Sequence, residues 1–481
     1  MTEQSLKQKT ARGLFWGGFS NGVQQLLNLL FGIVLARLLD DTDYGMIGVL
    51  AIFMAVANTL QESGFTAALA NKRNITHEDY NAVFWFSLLM GTGMYIVLFF
   101  SAPLIARFFK APELVPLSRY LFLGFVFSSS ATAHSAYLFR NLMVKQKAIS
   151  QIPSLILSGT VGILMAYHGM SYWGIATQSL VYIGTINLCF WYFSPWRPTF
   201  KINFRPIKEM FGFSSKLLVT NIFLQINNNL LSTILGRFYS KAEVGTYTQS
   251  NKWTAMGFSL IGGMVNSVAQ PVLAEVSNDN ERQQNVLRKM LRFTAFLSFP
   301  AMFGLALISE EFIIITITEK WAACIPVLQA LCLWGAFVPV TNLYSNLILS
   351  KGKSDIYMWN TIALSLLQLG VMLAAHPYGL QSMILLFVLI NVGWLGVWQY
   401  FVWKLTGLSV WKAMKDILPF ALIAAATMIS TYYITLSIGN RYLMLGAKIL
   451  TAAAIYTFAM WISHAAIFRE VIAYIRRKSP V

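Results

Sequence analysis

Charge is scarce in this chain of 481 residues: only 11% are Asp, Glu, Lys or Arg, against roughly 25% in a soluble globular protein. That excludes an ordinary soluble enzyme. No polar stretch is long enough to form a separate globular domain, and Cys189, Cys324 and Cys332 all fall in apolar runs. With no histidine or second cysteine at ligand spacing, a disulfide framework and a thiolate metal site are excluded, and the three read as small core residues. His77, His134, His168, His376 and His464 are scattered, and neither HExxH nor a Gly-Lys-Ser/Thr phosphate loop occurs. No catalytic residue, metal or cofactor is expected, and any energy input must come from a gradient or from consumption of the product.

What is present is apolar: 56% of residues are hydrophobic, in recurring runs of about 20, the length of a bilayer-spanning helix. The pattern predicts an all-α polytopic membrane protein. Strands of a membrane barrel would alternate over about ten residues, which these runs do not. Runs bounded by charged or Gly/Pro-rich turns place helices near 14–37, 45–70, 82–109, 115–139, 149–168, 172–193 and 211–236. The series continues at 245–273, 289–317, 322–349, 355–375, 380–403, 415–436 and 442–466, about fourteen in all. The basic start before Leu14 reads as the flank of the first span, since no small-residue cleavage site follows the apolar run.

The net charge of +17 would suggest nucleic acid in a soluble protein, but placement matters more than the sum. With a cytoplasmic N-terminus, 25 of the 36 Lys and Arg fall in inner segments and 8 in outer ones. Cationic loops are retained in the cytoplasm during insertion, so both termini are expected there, and membrane lipid rather than nucleic acid is the expected partner.

The chain also repeats itself. Gln24–Gly45 lies over Leu224–Gly245 at a constant offset of 200 residues, with Gln25/Gln225, Asn28/Asn228, Leu30/Leu230, Leu35/Leu235, Arg37/Arg237 and Gly45/Gly245 identical. Asp43/Glu243 keeps its sign. The first helix therefore matches the seventh, both running the same way, as in parallel repeats that form two bundles flanking a cavity. The expected organisation is a first bundle at 1–193, a basic Pro-rich cytoplasmic link at 194–210, a second bundle at 211–404, and two further helices with a basic tail at 405–481. Those last two helices form either a lateral groove or extra lipid-facing surface.

Short motifs carry a family resemblance: Ala36-Arg37-Leu38-Leu39 with Asp43-Tyr44-Gly45, Glu62-Ser63-Gly64-Phe65, Arg140, Asn227-Asn228-Asn229, Gly236-Arg237 and Val244-Gly245-Thr246-Tyr247. Over essentially its whole length the chain resembles the polysaccharide transporter (Wzx-type flippase) family of the multidrug/oligosaccharidyl-lipid/polysaccharide (MOP) exporter superfamily, in its WzxC-like branch. The resemblance implies MATE-like V-shaped bundles in a bacterial inner membrane. It further implies movement of undecaprenyl-diphosphate-linked oligosaccharide from the inner to the outer leaflet, with polysaccharide polymerase machinery a candidate partner. Where relatives carry an Asp in the seventh helix this chain has Leu231, which weakens the case for cation coupling there.

The residues themselves suggest roles. Gln24, Gln25, Asn28, Gln225, Asn227, Asn228 and Asn229 cluster near the middle of two helices, offering the paired donors and acceptors that sugar hydroxyls need. Interhelical hydrogen bonding is the competing reading. Lys252, deep in its span, is a candidate cavity cation, whereas Lys216 sits close enough to an end to snorkel. Glu62 is read as the one carboxylate within a span, either a coupling site or a partner for a cation such as Lys216. Arg37 and Arg237 are expected either to pair with Asp43 and Glu243 or to gate or bind the diphosphate, whose two-pronged geometry suits guanidinium. Arg140 is a candidate for meeting that diphosphate on entry. One carboxylate against Lys216, Lys252 and Lys448 favours an anionic cargo over the alternative, a cation-coupled multidrug exporter.

Overall fold

The computed structural model describes the backbone of residues 3–62, 69, 75–141, 143–463 and 467–470. Within these, the side chains of residues 3–19, 61–62, 209–217, 267, 268 and 271 fall outside the described residues. The described chain is helical throughout and forms two compact units, Met1–Gly245 and Thr246–Val481.

In the first unit, α1 (Glu3–Leu38) is followed by the short α2 (Asp41–Gly48) and α3 (Ala51–Glu62), then by α4 (His77–Phe108). The fourth predicted span is broken into α5 (Leu114–Leu121), α6 (Leu123–Ser129) and α7 (Thr132–Arg140), with a 44° bend before α7. α8 (Val144–Tyr167), α9 (Tyr172–Phe193) and α10 (Arg205–Phe238) complete it. α1 packs along α8, where Gly159 leaves room for the Phe31 ring. α10 packs against α3 and α4.

α11 (Lys241–Glu275) leads into the second unit, which holds α12 (Asn280–Leu307), α13 (Ser309–Ile317), α14 (Cys324–Gly335), α15 (Val338–Ser350), α16 (Ser354–Ala375), α17 (Leu380–Thr406), α18 (Val410–Thr435) and α19 (Arg441–Ile462). Helix starts follow local chemistry. Asp279, Ser409 and Asn440 cap α12, α18 and α19 by accepting backbone N–H bonds that the first turn cannot satisfy itself. α18 and α19 are not loose additions. Arg288 of α12 grips Asp416 of α18 at 2.6 and 3.2 Å, and Tyr456 of α19 donates to the Phe296 carbonyl at 2.9 Å.

Helix lies within each predicted interval where its residues are described, and among the described residues nine helices are long and apolar enough to cross a bilayer, or ten with the bent α5–α7 segment. The carboxylate count requires correction. Glu311 and Asp416 lie inside the 289–317 and 415–436 spans, 2% and 3% exposed, so Glu62 is not the sole carboxylate there.

The Pro-rich link is a fastened strap. Asn81, buried near the start of α4, donates to the Lys201 carbonyl at 2.7 Å and accepts from the Thr199 N–H at 2.8 Å. Trp85 adds a bond to the Thr199 carbonyl, and Trp196 donates to His77 Nδ1. The Trp196 ring closes a core of Tyr80, Phe84, Ala133 and Ile207. Asn81→Ala orphans two backbone groups, at about 1–3 kcal/mol each if they stay dry. The expected outcome is a lower thermal midpoint and faster tryptic cleavage at Lys201, read by limited proteolysis. Unchanged cleavage would mean the strap is held elsewhere.

Candidate functional site

α1 has two exposed faces of opposite character. Leu26 and Leu30 are 62% and 58% exposed, as a lipid-facing surface requires. Asn28 is exposed too, yet at 100° per residue it points about 160° away from both. It lies ten residues from the end of α1, about 15 Å at 1.5 Å per residue, which is the middle of a 30 Å hydrocarbon core. An amide bared to hydrocarbon there would leave its polar atoms unsatisfied. Exposed at that depth, Asn28 calls for either a polar space or a polar group of a neighbouring helix. α10 repeats the arrangement: Asn228, ten residues from the end of that helix, is exposed, and Gln25 and Gln225 are both half-buried on the same faces.

One turn earlier on those faces stand Asn21 and Asn221, also exposed, a matching pair the sequence comparison missed because it began at Gln24. Extending the 200-residue offset three positions back would have found it. The stripes Asn21-Gln25-Asn28 and Asn221-Gln225-Asn228 thus share spacing, depth and direction.

Other amides serve packing. Gln24 Nε2 donates to Ser20 Oγ and Gln151 Oε1, both at 2.9 Å, tying α1 to α8. Asn229 Nδ2 turns back to the Gln225 carbonyl at 2.9 Å. Asn227 keeps a buried Oδ1 without a partner. Lys252, half-buried on α11, sets its ammonium 5.4 Å from the Trp253 ring centre. Arg140 donates to the Leu69 carbonyl at 2.7 Å. The side chains of Glu62 and Lys216 lie outside the described residues.

The signature turns that follow α1 and α10 have a common construction. Asp43 accepts the Asp40 N–H at 3.1 Å, and Glu243 accepts the Ser240 N–H at 3.0 Å while Ser240 Oγ accepts from the Glu243 N–H. Both acids are thus the third-residue members of capping boxes. This replaces the expected arginine pairing for Glu243: Arg237 instead donates to the Phe108 carbonyl at 2.9 Å and lies over that ring. Asp43 also accepts the Ser171 hydroxyl, and Arg37 is exposed. The two turns touch. A Cβ on Gly45 would overlap the Lys241 carbonyl oxygen, and a Cβ on Gly245 would overlap that of Asp41. The identity of these glycines across the repeat is a reciprocal steric requirement. Lys241 also bridges to Glu113 at 3.1 Å. A backbone N–H bond, followed by that lysine, holds the Glu113 carboxyl below its usual range.

In the second unit Lys448 is not an unpaired cation: its Nζ lies 2.5 Å from Glu311 Oε1. Lys448 therefore does not count, beside Lys216 and Lys252, as a cation for an anionic cargo. The same unit carries an apolar groove of about 830 Å³, lined by Met264, Val265, Met290, Phe293, Leu343 and Ile467, with Lys289 and Glu470 at its polar edge.

A family model described as polysaccharide biosynthesis protein matches residues 34–326. The lipopolysaccharide biosynthesis protein WzxC of Escherichia coli (strain K12) is 26% identical over 81% of this chain and 80% of its own. The teichuronic acid biosynthesis protein TuaB of Bacillus subtilis (strain 168) is 23% identical over 90% of each. Among solved structures, the lipid II flippase MurJ in an inward closed conformation superposes with a TM-score of 0.76 at 17% identity, covering 95% of this chain and 99% of that one. An inward-facing MATE family transporter of the MOP superfamily gives 0.63 at 16% identity, over 85% and 96%.

The amide stripes make a direct prediction. With Cys189, Cys324 and Cys332 replaced by Ala, cysteine at 28 or 228 should react with a membrane-impermeant thiol reagent, and cysteine at 26 or 30 should not. Equal protection at all four positions would place the asparagines in lipid.

Proposed function

We propose that this chain, a multi-pass membrane protein that belongs to the polysaccharide biosynthesis protein family, is a transporter that flips an undecaprenyl-diphosphate-linked oligosaccharide across the bacterial cytoplasmic membrane by alternating access. The observation that carries the reading is the pair of mid-membrane amide stripes on α1 and α10. Uncharged amides that both donate and accept suit the hydroxyl-rich oligosaccharide of that cargo, and identical stripes at equal depth suit a site presented first to one side and then to the other.

The remaining parts are assigned to other steps of the movement. The apolar groove of the second unit offers the lipid chain a path that keeps it out of polar space. Lys252 supplies a cation for the diphosphate, and Arg140 and Lys216 receive it on the cytoplasmic side. Touching through glycine, the signature turns close the outer end, and cargo release requires them to part. In this orientation both termini and the 194–210 link are cytoplasmic, and polysaccharide polymerase machinery consumes the product.

The test is a flipping assay in proteoliposomes holding a defined undecaprenyl-diphosphate oligosaccharide. The wild type should move it faster than empty vesicles do. Asn28→Leu with Asn228→Leu removes hydrogen bonds worth about 0.5–1.5 kcal/mol each, so a loss of about fivefold to a hundredfold in rate is expected at unchanged protein level. Lys252→Gln should also slow flipping. Wild-type rates in all variants, or export of an organic cation with no effect on the lipid, would overturn the reading.

A further inference from the structure

Beneath the α18–α19 turn of the second unit lies a polar vestibule of about 330 Å³. Glu310 and Glu311 of α13, Tyr432 and Thr435 of α18, and Arg441 and Lys448 of α19 line it. We propose that the Glu311–Lys448 pair is a proton-binding site, reached through this vestibule, whose occupancy governs the attachment of α19 to α13. The proposal is independent of which cargo the transporter moves.

The pair sits at a break in the predicted 289–317 span. Lys448 Nζ donates to the carbonyl of Leu307, the last residue of α12, at 3.3 Å, and Glu311 lies in the first turn of α13. A cation at a helix C-terminus and an anion at the next N-terminus both complement the helix dipoles. The two side chains are only 6% and 2% exposed. Lys448 lies seven residues into α19, about 10 Å from its start, so the pair is at membrane depth. As a tie between helices such a pair has no advantage over apolar residues of the same size. Ionisable groups at that depth mark ion and proton routes.

The second observation concerns the other carboxylate oxygen. Glu311 Oε2 is buried and has no hydrogen-bond partner, although the residue borders the vestibule. A metal cation would face the Lys448 ammonium, and among the described residues no group of three His, Cys, Asp or Glu is placed to hold one. A proton needs no further ligand. It forms one O–H bond on Glu311 and breaks no covalent bond, and the pair goes from net zero to +1. Lys448 then loses its counter-charge, and its flexible stem lets the ammonium turn towards Glu310 and the vestibule water.

The charged and titratable groups around the pair come from three elements. Glu310 is its neighbour on α13, Tyr432 places its ring centre 6.0 Å from Lys448 Nζ, and Arg441 is held by Glu319 at 2.8 Å. α12 contributes the Leu307 carbonyl, α14 carries no charged residue, and α11 meets α13 through Trp253 on Phe312.

The test uses the full-length protein in phosphatidylethanolamine/phosphatidylglycerol vesicles, without sugar, and the proton itself as the probe. Infrared difference spectra across a pH titration should show a buried carboxyl band that disappears in Glu311→Gln. In Lys448→Met, loss of the cation that faces the carboxylate should alter the band, because the group that binds the proton has lost its partner. Should that variant fail to fold, Glu311→Gln with Lys448→Met leaves no buried charge and should fold while lacking the band. A band that persists in Glu311→Gln or in the double variant would overturn the proposal, as would a signal that follows Na⁺ concentration at fixed pH.

Discussion

Two backbone turns meet where neither has a side chain, and much of the first unit is arranged around that contact. Gly45 faces the Lys241 carbonyl and Gly245 faces that of Asp41, each approach closer than a Cβ would allow. Both turns are helix N-termini, whose partial positive charges repel when brought together. The capping acids Asp43 and Glu243 place negative charge in both first turns, and the Lys241–Glu113 bridge adds a tie from the neighbouring loop. The contact is therefore permitted by shape and balanced by small electrostatic terms.

The bilayer imposes the second constraint. A helix surrounded only by lipid has no use for exposed amides at mid-depth, and the amide stripe of α1 lies opposite a leucine face, which is what the proposed polar site requires. Equal stripes on α1 and α10 give the repeat a physical meaning beyond ancestry. The same residues stand at the same depth on both helices, and the touching turns lie at the C-terminal ends of those same two helices. Local order at the cargo stripe and reversible contact at the turn are the two properties that alternating access demands.

Much of this was legible in the sequence because it is periodic or repeated. The intervals of apolar residues coincide with helices because hydrocarbon length sets both, and the 200-residue offset exposed the amides and the glycines. What escaped was reciprocity. Glu243, like Asp43, read as a partner for arginine, since a carboxylate beside a cation suggests an ion pair, and for Glu243 that arginine lies elsewhere. Their spacing to Asp40 and Ser240 is that of a capping box, which the first-turn N–H groups fill sooner than a long side chain does. Lys448 read as a lone cation because Glu311 is 137 positions away in the chain. Asp416 likewise finds Arg288 across 128 positions. Charge counts along a sequence cannot see such pairs, so Lys448 drops out of the count of cations while the amides and the family carry the reading.

The most direct measurement of the account is the distance between spin labels at Thr42→Cys and Ala242→Cys in protein with Cys189, Cys324 and Cys332 replaced by Ala, read by double electron–electron resonance in lipid. The account predicts a short distance exchanging with a longer one, and a shift to the longer one on Gly45→Ala or Gly245→Ala. Gly93→Ala, where a Cβ meets open space, should change nothing. A single short distance that survives alanine at both signature glycines would contradict an outer closure made and released at this contact.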